Sequence, residues 1–591
     1  VHMKKTRSAA LRLTLTMVAI FAIVVVFTGR LVDLQVVQSA DLTKKAVQSR
    51  EAKVITYGTR GAIVDTNGNV LADSVDRFNI TVSPRNFPEK GYDAKFNDPT
   101  THVSADEALG KIGKLTGQTV AELQAIIRKD PKSDFAYLSK SVTLAVFTAV
   151  VKLKIPGIYS QPQPARSYPN GAVAGNLVGF MGTDGAQAGI ELMENSCLSS
   201  KNGTSTYEKA EDGTRIPGST VKQTAPVYGG TVKLTIDSDL NWYVQNAISA
   251  QAKKIGSPWA TGIVERVSDG HLLAVADYPT VDPNNLNATP QRAFGSLAFS
   301  TPYEPGSTFK AMSAASLLDA GAITPTTQIT VPSVYTNGLP PGSYIKDSFS
   351  HGTLHYTTAG VLENSSNIGI SILSQSLNKQ ARHDYMAKFG VGSKTAVGFN
   401  GESAGILHPA NQWDSVTSRT VEFGQGVSAT SAQVAQIFET IANHGVREPS
   451  TLVEGCTQSN GTVTDKPTAK PVRVVSQKSA DETVKMLETV VTGGPISSLL
   501  QIPGYRIAAK TGTAQVASTN GTGYTNKYIL SVAGIAPAED PEYVVLVTFG
   551  PTTLGTSAGA APAFKNVMTE VLKKYRVEPS TQPAPYVKTT W

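Results

Sequence analysis

The sequence has only two cysteines among its 591 residues, and they form no Cys-x-x-Cys pair. The patterns His-Glu-x-x-His and Gly-x4-Gly-Lys-Ser/Thr are also missing, so the chain lacks the usual ligand sets for zinc and for nucleotide phosphates. Basic residues outnumber acidic residues by 53 to 46, yet after the N-terminal segment they are scattered and form no long block with interleaved aromatics. This pattern indicates a solvated surface and no nucleic-acid partner.

The remaining cysteine and histidine signals are weak. His351 and His355 have the spacing of two metal ligands on a helix, but the surrounding "SHGTLHYTTAG" disfavours a helix and no third ligand is near. We therefore expect loop or surface histidines, with no metal and no cofactor. Cys197 and Cys456 are 259 positions apart, and two isolated thiols are the expectation. A disulfide is the alternative that export of the chain would permit.

Aromatic residues make up 7% of the chain, charged residues 17% and hydrophobic residues 40%, which is a globular composition and excludes a disordered protein. The length predicts two or three folded units. One hydrophobic run stands apart, because residues 13–29, "LTLTMVAIFAIVVVFTG", contain no charge and are about long enough to span a bilayer. Four Lys and Arg residues precede this run. The sequence thus predicts a cytosolic stub at 1–12, a single-pass membrane anchor at 13–35 and an exported remainder.

A cleaved signal peptide is the alternative interpretation of this run. The run is longer than a usual signal-peptide core, and it continues into "RLVDLQVVQSA" without a small-x-small cleavage site, which favours an uncleaved anchor. Val1 and His2 precede Met3 and are interpreted as a remnant of expression cloning.

The exported part divides near residue 230. Before it, "RGAIVDTNGNVLADSV" predicts a hairpin with an Asn-Gly turn, and "ADEALGKIGKLTGQTVAELQAIIRKD" predicts two amphipathic helices. Residues 231–576 begin with a strand and a helix, followed by a hairpin that turns at Asp269–Gly270, several helices and three β-rich runs typical of an antiparallel meander. This order predicts an α+β fold in which helices flank an antiparallel sheet. Residues 577–591, rich in Pro and Thr, predict an extended C-terminal tail.

Ser-x-x-Lys occurs four times and can place a nucleophile and its base one helical turn apart. The copies begin at Ser219, Ser307, Ser343 and Ser376. Ser219 and Ser343 are followed by β-branched or turn-rich stretches without helical periodicity, and Ser376 lacks the preceding Pro-Gly. Only Ser307, in "PGSTFK", leads into an apolar helix, whose burial would disfavour the ammonium form of Lys310 and make its amine a base for the serine.

Two further motifs follow "STFK" in a fixed order. "SSN" holds Ser365 and Asn367, and "KTGT" covers residues 510–513. The set Ser-x-x-Lys, Ser-x-Asn and Lys-Thr-Gly is that of class A β-lactamases and penicillin-binding proteins. With "RGAIVDTNGNVLA", "RSYPNGAVAGNLVG" and "EFGQGVSATSAQVAQ", the sequence resembles a class B penicillin-binding protein over most of its length. Such proteins are monofunctional peptidoglycan D,D-transpeptidases, and within them the chain is most similar to the division-specific septal type.

The resemblance implies an elongated, β-rich pedestal or dimerisation-like domain at 36–230 and a transpeptidase domain at 231–576. It implies that Ser307 forms an acyl-enzyme with a stem peptide ending in D-Ala-D-Ala, or with a β-lactam, and that Lys310 is its base. Ser365 would relay the proton, and Asn367 would hold Lys310 and the substrate amide. In the last motif, Lys510, Thr511 and Thr513 would meet the substrate carboxylate, and Gly512 would let the substrate and the backbone approach closely.

The resemblance further implies that the N–H groups of Ser307 and Thr513 form an oxyanion hole, and that Lys510 adds a fixed positive charge that helps to keep Lys310 neutral. Its expected partners are a membrane glycan polymerase and other divisome proteins. The Glu-x-x-Leu-Asn pattern of class A β-lactamases is absent, so a long-lived β-lactam adduct is expected. A side-wall transpeptidase is the alternative within the class. A β-lactam receptor is disfavoured by the short stub, and a silent scaffold by the intact motifs.

Overall fold

In a computed structural model, the described residues are 4–95, 98–182, 184–209, 216–220, 222–518 and 523–591. Val1 and His2 lie outside them. The helices are α1 Lys4–Val32, α2 Ser39–Arg50, α3 Ala105–Thr116, α4 Val120–Lys129, α5 Leu144–Lys152, α6 Gly175–Val178, α7 Gly189–Met193, α8 Asn195–Leu198, α9 Ser238–Ile255, α10 Leu297–Ser300, α11 Phe309–Asp319, α12 Thr358–Glu363, α13 Asn367–Leu373, α14 Lys379–Lys388, α15 Thr417–Thr420, α16 Ser431–Ala442, α17 Gln477–Thr492, α18 Ser497–Leu500 and α19 Ala561–Lys574.

The strands are β1 Glu51–Thr56, β2 Ile63–Val64, β3 Val70–Val75, β4 Arg77–Val82, β5 Tyr92–Asp93, β6 His102–Val103, β7 Ala136–Thr143, β8 Ile158–Pro162, β9 Ala165–Ser167, β10 Met181–Gly182, β11 Gly185–Ala186, β12 Gly203–Glu208, β13 Lys222–Thr224, β14 Thr231–Leu234, β15 Ala260–Arg266, β16 Leu272–Tyr278, β17 Gln328–Val331, β18 Leu354–Thr357, β19 Val446–Arg447, β20 Val453–Thr457, β21 Val463–Thr464, β22 Val472–Arg473, β23 Ala508–Ala517, β24 Tyr524–Ala536 and β25 Tyr543–Thr552. The α+β prediction is confirmed.

The chain forms two compact units. The smaller unit comprises residues 1–59 and 200–228. It contains α1, α2 and a three-stranded antiparallel sheet in the order β1-β12-β13. Residues 9–37, across α1 and a following π-helical turn, are long and apolar enough to cross a membrane, and none of their side chains is buried. This segment fits a single-pass membrane protein.

The larger unit comprises residues 60–199 and 229–591. At its centre lies a five-stranded sheet in the order β16-β15-β25-β24-β23, and every neighbouring pair is antiparallel. The predicted hairpin is β15–β16 and the predicted meander is β23–β24–β25. A hydrophobic core lies on each face of the sheet, with α9 and α19 on one side and α11 and α16 on the other. The motif "KTGT" therefore lies on the edge strand β23, where the turn that precedes α11 can pack against it.

Other predicted elements form at their expected places. The early hairpin is β2–β3, with Gly68 at a positive φ of 86° in its turn. The two amphipathic helices are α3 and α4, which begin after the N-caps Ser104 and Thr119. They pack with the sheet β7-β4-β8 around a small core of their own. The domain boundary at residue 230 stays a prediction.

The expectation of two isolated thiols is wrong, because Cys197 and Cys456 form a disulfide. Pairing of β14 with β20 sets Val232 opposite Cys456, while the N–H of Gly230 donates to the carbonyl of Cys197 at 2.8 Å. A Cβ on Gly230 would lie 2.8 Å from the Sγ of Cys456 and 3.1 Å from that of Cys197, so the glycine leaves room for the bridge. Local sequence spacing carries no sign of this long-range strand pairing.

Candidate active site

Ser307 lies in the tight turn that opens a buried helix. A 3-10 turn, Gly306–Thr308, runs directly into α11, and all but the last residue of α11 is buried. Gly306 has a φ of +60°, and a Cβ there would lie 2.9 Å from the Cβ of Ala514 on β23. Glycine is therefore required both by conformation and by the close approach of the edge strand. Ser307 is half-buried and lies in this first turn, where backbone N–H groups lack intrahelical partners.

The amine of Lys310 is the centre of a compact polar cluster. Its Nζ lies 3.0 Å from Ser307 Oγ, 2.7 Å from Asn367 Oδ1, and 2.5 and 3.3 Å from the carbonyl oxygen and Oγ of Ser365. The Lys310 side chain is fully buried. Burial lowers the pKa of Lys310 well below its usual range, the charge of Lys510 lowers it further, and Asp347 opposes the shift. A neutral amine at this distance can accept the proton of Ser307.

Ser365 occupies an unusual backbone position that lets it reach both lysines. It lies between α12 and α13 with a φ of +57°, a region that costs a non-glycine residue about 1–3 kcal/mol. This conformation turns its carbonyl toward Lys310, while its Oγ accepts from Lys510 Nζ at 2.9 Å. Ser366, the next residue, is the N-cap of α13, and Asn367 is the first residue of that helix. The arrangement connects the two buried amines through one hydroxyl.

Lys510 enters the cluster from the edge strand β23. Its amine also donates to the carbonyl of Thr511 at 3.3 Å, and its side chain is fully buried. Burial lowers the pKa of Lys510 to about 7, so its charge is not fixed near neutral pH, contrary to the fixed charge expected from the sequence. Thr511 and Thr513 alternate with the buried Lys510 and Gly512 and are half-buried. Among the described residues no hydrogen bond joins either threonine side chain to the Lys310 cluster, so their binding role stays a prediction.

Gly512 allows β23 to lie against the turn that carries the nucleophile. A Cβ at this position would be 2.2 Å from Ser531 Oγ and 3.1 Å from the carbonyl oxygen of Pro305. The sequence predicted a close approach of substrate to backbone at this glycine. The structure shows a further close approach, by the backbone just before Ser307.

In the copies at Ser343 and Ser376, the described side chains show no hydrogen bond between the serine and the lysine. Ser219 Oγ donates to the carbonyl of Ile216 at 2.6 Å, and Lys222 begins β13. Ser343 lies in a turn, and Lys379 Nζ donates to the carbonyl of Trp413 at 2.9 Å. The copy at Ser343 nevertheless borders the site, because the carbonyl of Lys346 accepts from Asn367 Nδ2 at 3.0 Å.

Two residues that support the "SSN" turn have no recognisable signal in the sequence. Asp347 accepts from Ser366 Oγ at 2.8 Å and from the N–H of Ile368 at 3.0 Å. His351, predicted to be a loop or surface residue, lies in a loop, but its side chain is only 6% exposed and faces Asp347. No periodicity or motif spacing relates these residues to "SSN", because the contact joins positions about 20 apart with β18 and α12 between them. Among the described residues no group of three or more metal-ligating side chains occurs.

The fold and this cluster place the chain in a protein class. Residues 260–569 match the penicillin-binding protein transpeptidase domain, and residues 55–234 match the penicillin-binding protein dimerisation domain. The first match alone covers more than half of the chain. The chain therefore belongs to the penicillin-binding protein transpeptidase family, and it is of class B and most similar to the septal type.

Particular relatives cover nearly the whole chain. It is 31% identical to the penicillin-binding protein PbpB of Mycolicibacterium smegmatis over 96% of this chain and 91% of that protein. It is also 31% identical to the peptidoglycan D,D-transpeptidase FtsI of Escherichia coli K12, over 93% and 90%. Among solved structures it is similar to penicillin-binding protein 3 of Mycobacterium tuberculosis complexed with aztreonam, with a TM-score of 0.68, 26% identity and coverage of 91% and 100%.

Proposed function

We propose that this protein is a serine peptidoglycan D,D-transpeptidase that crosslinks stem peptides during septal cell-wall synthesis and is a target of β-lactams. The observation that carries the proposal is the 3.0 Å distance between the buried Lys310 amine and Ser307 Oγ, with Ser365, Asn367 and Lys510 around it. The names of the relatives, peptidoglycan D,D-transpeptidase among them, support the same activity. A related structure that holds aztreonam supports β-lactam binding.

In the acylation step Ser307 Oγ attacks the carbonyl carbon of the penultimate D-Ala of a stem peptide. Lys310 takes the hydroxyl proton as the new ester C–O bond forms, and the peptide bond to the terminal D-Ala breaks. The leaving amine receives a proton by way of Ser365, whose Oγ lies near both lysine amines. The N–H groups of Ser307 and Thr513 would stabilise the oxyanion.

In the second step the amine of a neighbouring stem peptide attacks the ester. Its proton passes to the Lys310 amine, the new amide bond forms, and Ser307 Oγ leaves with a proton. Both steps proceed through an oxyanion at the same carbon, so one set of donors serves both. The β-lactam ring, attacked in the same way, would leave an ester on Ser307.

The substrate carboxylate would be bound at β23 by Lys510, Thr511 and Thr513, and Gly512 would let the substrate approach the backbone. An anion beside Lys510 would raise the pKa of its amine from about 7 and so complete its charge. That charge in turn would lower the pKa of Lys310 further, because the two amines already interact. Substrate binding would therefore favour the neutral, basic form of Lys310 without any movement of the backbone.

The proposed topology places residues 1–12 in the cytosol, residues 13–35 in the bacterial cell membrane and the catalytic unit outside the membrane. The basic residues before the apolar run of α1 support this orientation. A membrane glycan polymerase and other divisome proteins are the proposed partners.

Labelling with a fluorescent penicillin tests the assignment. The wild-type protein is expected to carry the label on the peptide that contains Ser307, and Ser307→Ala is expected to lose it. Ser219→Ala and Ser343→Ala are matched controls, because both serines sit in nearly the same local sequence, yet neither opens a helix in the described part of the chain. Both variants should label like the wild type. Labelling that persists in Ser307→Ala would contradict the proposal. A donor stem peptide with an added acceptor amine then separates crosslinking from simple release of D-Ala.

A further inference from the structure

Residues 587–591 lie antiparallel to β18, along the edge that does not pair with β17. The N–H of Thr357 donates to the carbonyl of Thr589 at 3.0 Å, and the N–H of Trp591 donates to the carbonyl of His355 at 3.4 Å. The indole N–H of Trp591 donates to a carbonyl of β17 at 3.3 Å, and its ring packs against His355 with ring centroids 4.8 Å apart. A two-stranded sheet is only marginally stable alone, so this added segment supports β18.

The same segment contacts α12 at both of its ends. Thr357 is the N-cap of α12, and its Oγ1 accepts from the N–H of Gly360 at 3.2 Å while it donates to the carbonyl of Lys588 at 2.6 Å. A Cβ on Gly360 would lie 1.9 Å from the carbonyl oxygen of Thr589, so the glycine lets the segment lie directly against the helix. At the last residue of α12, burial raises the pKa of Glu363, and a hydrogen bond from the Thr589 side chain is among the effects that oppose the shift.

The position of Ser365 depends on α12. This helix has six residues, and a helix so short is held by its caps and its packing more than by its own hydrogen bonds. Ser365 follows it by two residues, with its N–H donating to the carbonyl of Leu362 at 3.2 Å and with a positive φ that the surrounding structure must maintain. Its Oγ lies 3.3 Å from the amine of Lys310 and 2.9 Å from that of Lys510. A shift of α12 would therefore change both distances.

The chain that leads to this segment is anchored beside the strand that carries Lys510. The N–H of Ser580 donates to the carbonyl of Gly504 at 2.9 Å, and its Oγ accepts from the N–H of Arg506 at 2.9 Å. Strand β23 begins two residues after Arg506. Residues 581–586 are largely exposed and contain two prolines, which favours a stiff, extended spacer. The tail thus connects the "KTGT" side of the site with the "SSN" side.

We propose that residues 587–591 are a positioning segment of the transpeptidase site: by pairing with β18 and contacting α12, they hold Ser365 at its distance from the two lysine amines. The inference rests on the proposed roles of Ser307 and Lys310. Thr589 and Trp591 supply the main contacts, and the anchored spacer keeps them at a high effective concentration beside β18.

The test compares the wild type with a variant that lacks residues 585–591, in stopped-flow acylation by fluorescent penicillin at a series of penicillin concentrations. The rate at saturation is expected to fall by about 10- to 100-fold, because a displacement of about 1 Å commonly costs about 100-fold. The penicillin concentration at half-saturation and the Tm should stay close to those of the wild type. Hydrogen exchange of the α12 N–H groups should become faster, because their support on one side is lost.

Trp591→Ala and Tyr586→Ala form a matched pair of aromatic substitutions in the full-length chain. Trp591→Ala removes the ring contact and the indole hydrogen bond, so it should lower the rate at saturation, and Trp591→Phe should restore part of it. Tyr586 is 90% exposed, and Tyr586→Ala should match the wild type.

An unchanged rate at saturation in the shortened variant, an equal loss in Tyr586→Ala, or a loss explained by a lower Tm would each overturn the inference. If the shortened variant does not fold, the pair Trp591→Ala and Tyr586→Ala decides. Failure of the wild type to label at Ser307 would instead refute the proposed function. In that case unchanged exchange of the α12 N–H groups in Trp591→Ala would refute the positioning of α12 as well, and faster exchange would support it.

Discussion

Lys310 and Lys510 are two fully buried amines joined through Ser365 Oγ. Burial of an amine disfavours its charged form, so both side chains lower the stability of the folded protein in return for reactivity. The site thus combines Lys310, whose lowered pKa favours a neutral amine, with Lys510, whose pKa of about 7 lies near neutral pH. Perturbed pKa values of this kind are typical of functional sites.

Lys510→Met is expected to stabilise the fold and to impair acylation. The pKa of Lys510 falls from 10.5 to about 7 on folding, so between these values the unfolded chain binds more protons and stability rises with pH. Removal of the amine should raise the free energy of unfolding by on the order of 1–3 kcal/mol at pH 7 and by less at pH 9.5. Denaturant unfolding at both pH values measures the difference.

The exposed Lys379 provides the control for this prediction. Lys379→Met changes a lysine of another Ser-x-x-Lys copy whose side chain is not sealed from water. It should leave the free energy of unfolding nearly unchanged at both pH values. A Lys510→Met variant that is less stable than the wild type at pH 7 would show that the hydrogen bonds of Lys510 outweigh its burial.

The members of the active-site cluster were predictable from the sequence where two residues lie one helical turn apart, or where they belong to motifs of a known order. Ser307 and Lys310 satisfy the first condition, and Ser365, Asn367 and Lys510 the second. Asp347 and His351 satisfy neither, because their contacts arise from the path of an irregular loop. The sequence also predicted a fixed charge on Lys510. That prediction missed the lowered pKa of the amine, because its burial depends on the packing of a whole strand.

At the scale of elements, a buried polar row crosses the central sheet and ends at the active site. Strand register sets Asp277, Thr261, Thr548, Ser531 and Gly512 side by side across β16, β15, β25, β24 and β23. All five residues are buried, and most other buried residues of the sheet are apolar. The hydroxyl of Thr261 bonds to Ser431 and that of Thr548 to Tyr303, so a shift in the register of β15 or β25 would break a buried hydrogen bond.

Gly512→Ala is expected to abolish most acylation without unfolding the protein. Its Cβ would collide with Ser531 Oγ and press on the carbonyl of Pro305, so β23 must move away from Ser307. A displacement of about 1 Å commonly costs about 100-fold in rate. Stopped-flow acylation and a thermal melt measure the two effects separately.

Gly110→Ala in α3 is the matched glycine control. A Cβ there meets only the side chain of Val120, at 3.8 Å, and the position is helical. Alanine should leave acylation unchanged and stability equal or slightly higher. Acylation at the wild-type rate in Gly512→Ala would show that β23 tolerates the displacement.

Local patterns predicted the individual strands but not every partner. Alternation and turn residues identified β15–β16 and β23–β25, because hairpins connect neighbours in sequence. The pairing of β25 with β15 joins segments about 280 residues apart, which no local pattern encodes. The tail 577–591 was predicted to be extended, yet nothing indicated that Thr590 would bridge to Tyr356 on β18, just before the helix that precedes Ser365.

At the scale of the whole molecule, β14 connects distant parts of the chain. It pairs in parallel with β2, in the segment that matches the dimerisation domain, and antiparallel with β20, within the segment that matches the transpeptidase domain. The Cys197–Cys456 disulfide lies at the same place. The two matched segments are therefore joined by a shared sheet as well as by a covalent bond.

The double variant Cys197→Ser, Cys456→Ser is expected to lower the free energy of unfolding by about 2–5 kcal/mol and to acylate at the wild-type rate under native conditions. The bond constrains the unfolded chain and does not contact Ser307. Unfolding of the wild type with and without a reducing agent should reproduce the difference, and the reducing agent should not affect the double variant. Equal stability of all four samples would contradict the prediction.

The disulfide also makes the catalytic unit partly circular. Its covalent ring runs from residue 197 to residue 456 and contains Ser307, Lys310, Ser365 and Asn367, whereas Lys510 lies outside it. A single proteolytic cut in any loop of the ring leaves both fragments attached. In an environment rich in proteases, a nicked molecule would keep its nucleophile, base and relay tethered together, and only reduction would release the pieces.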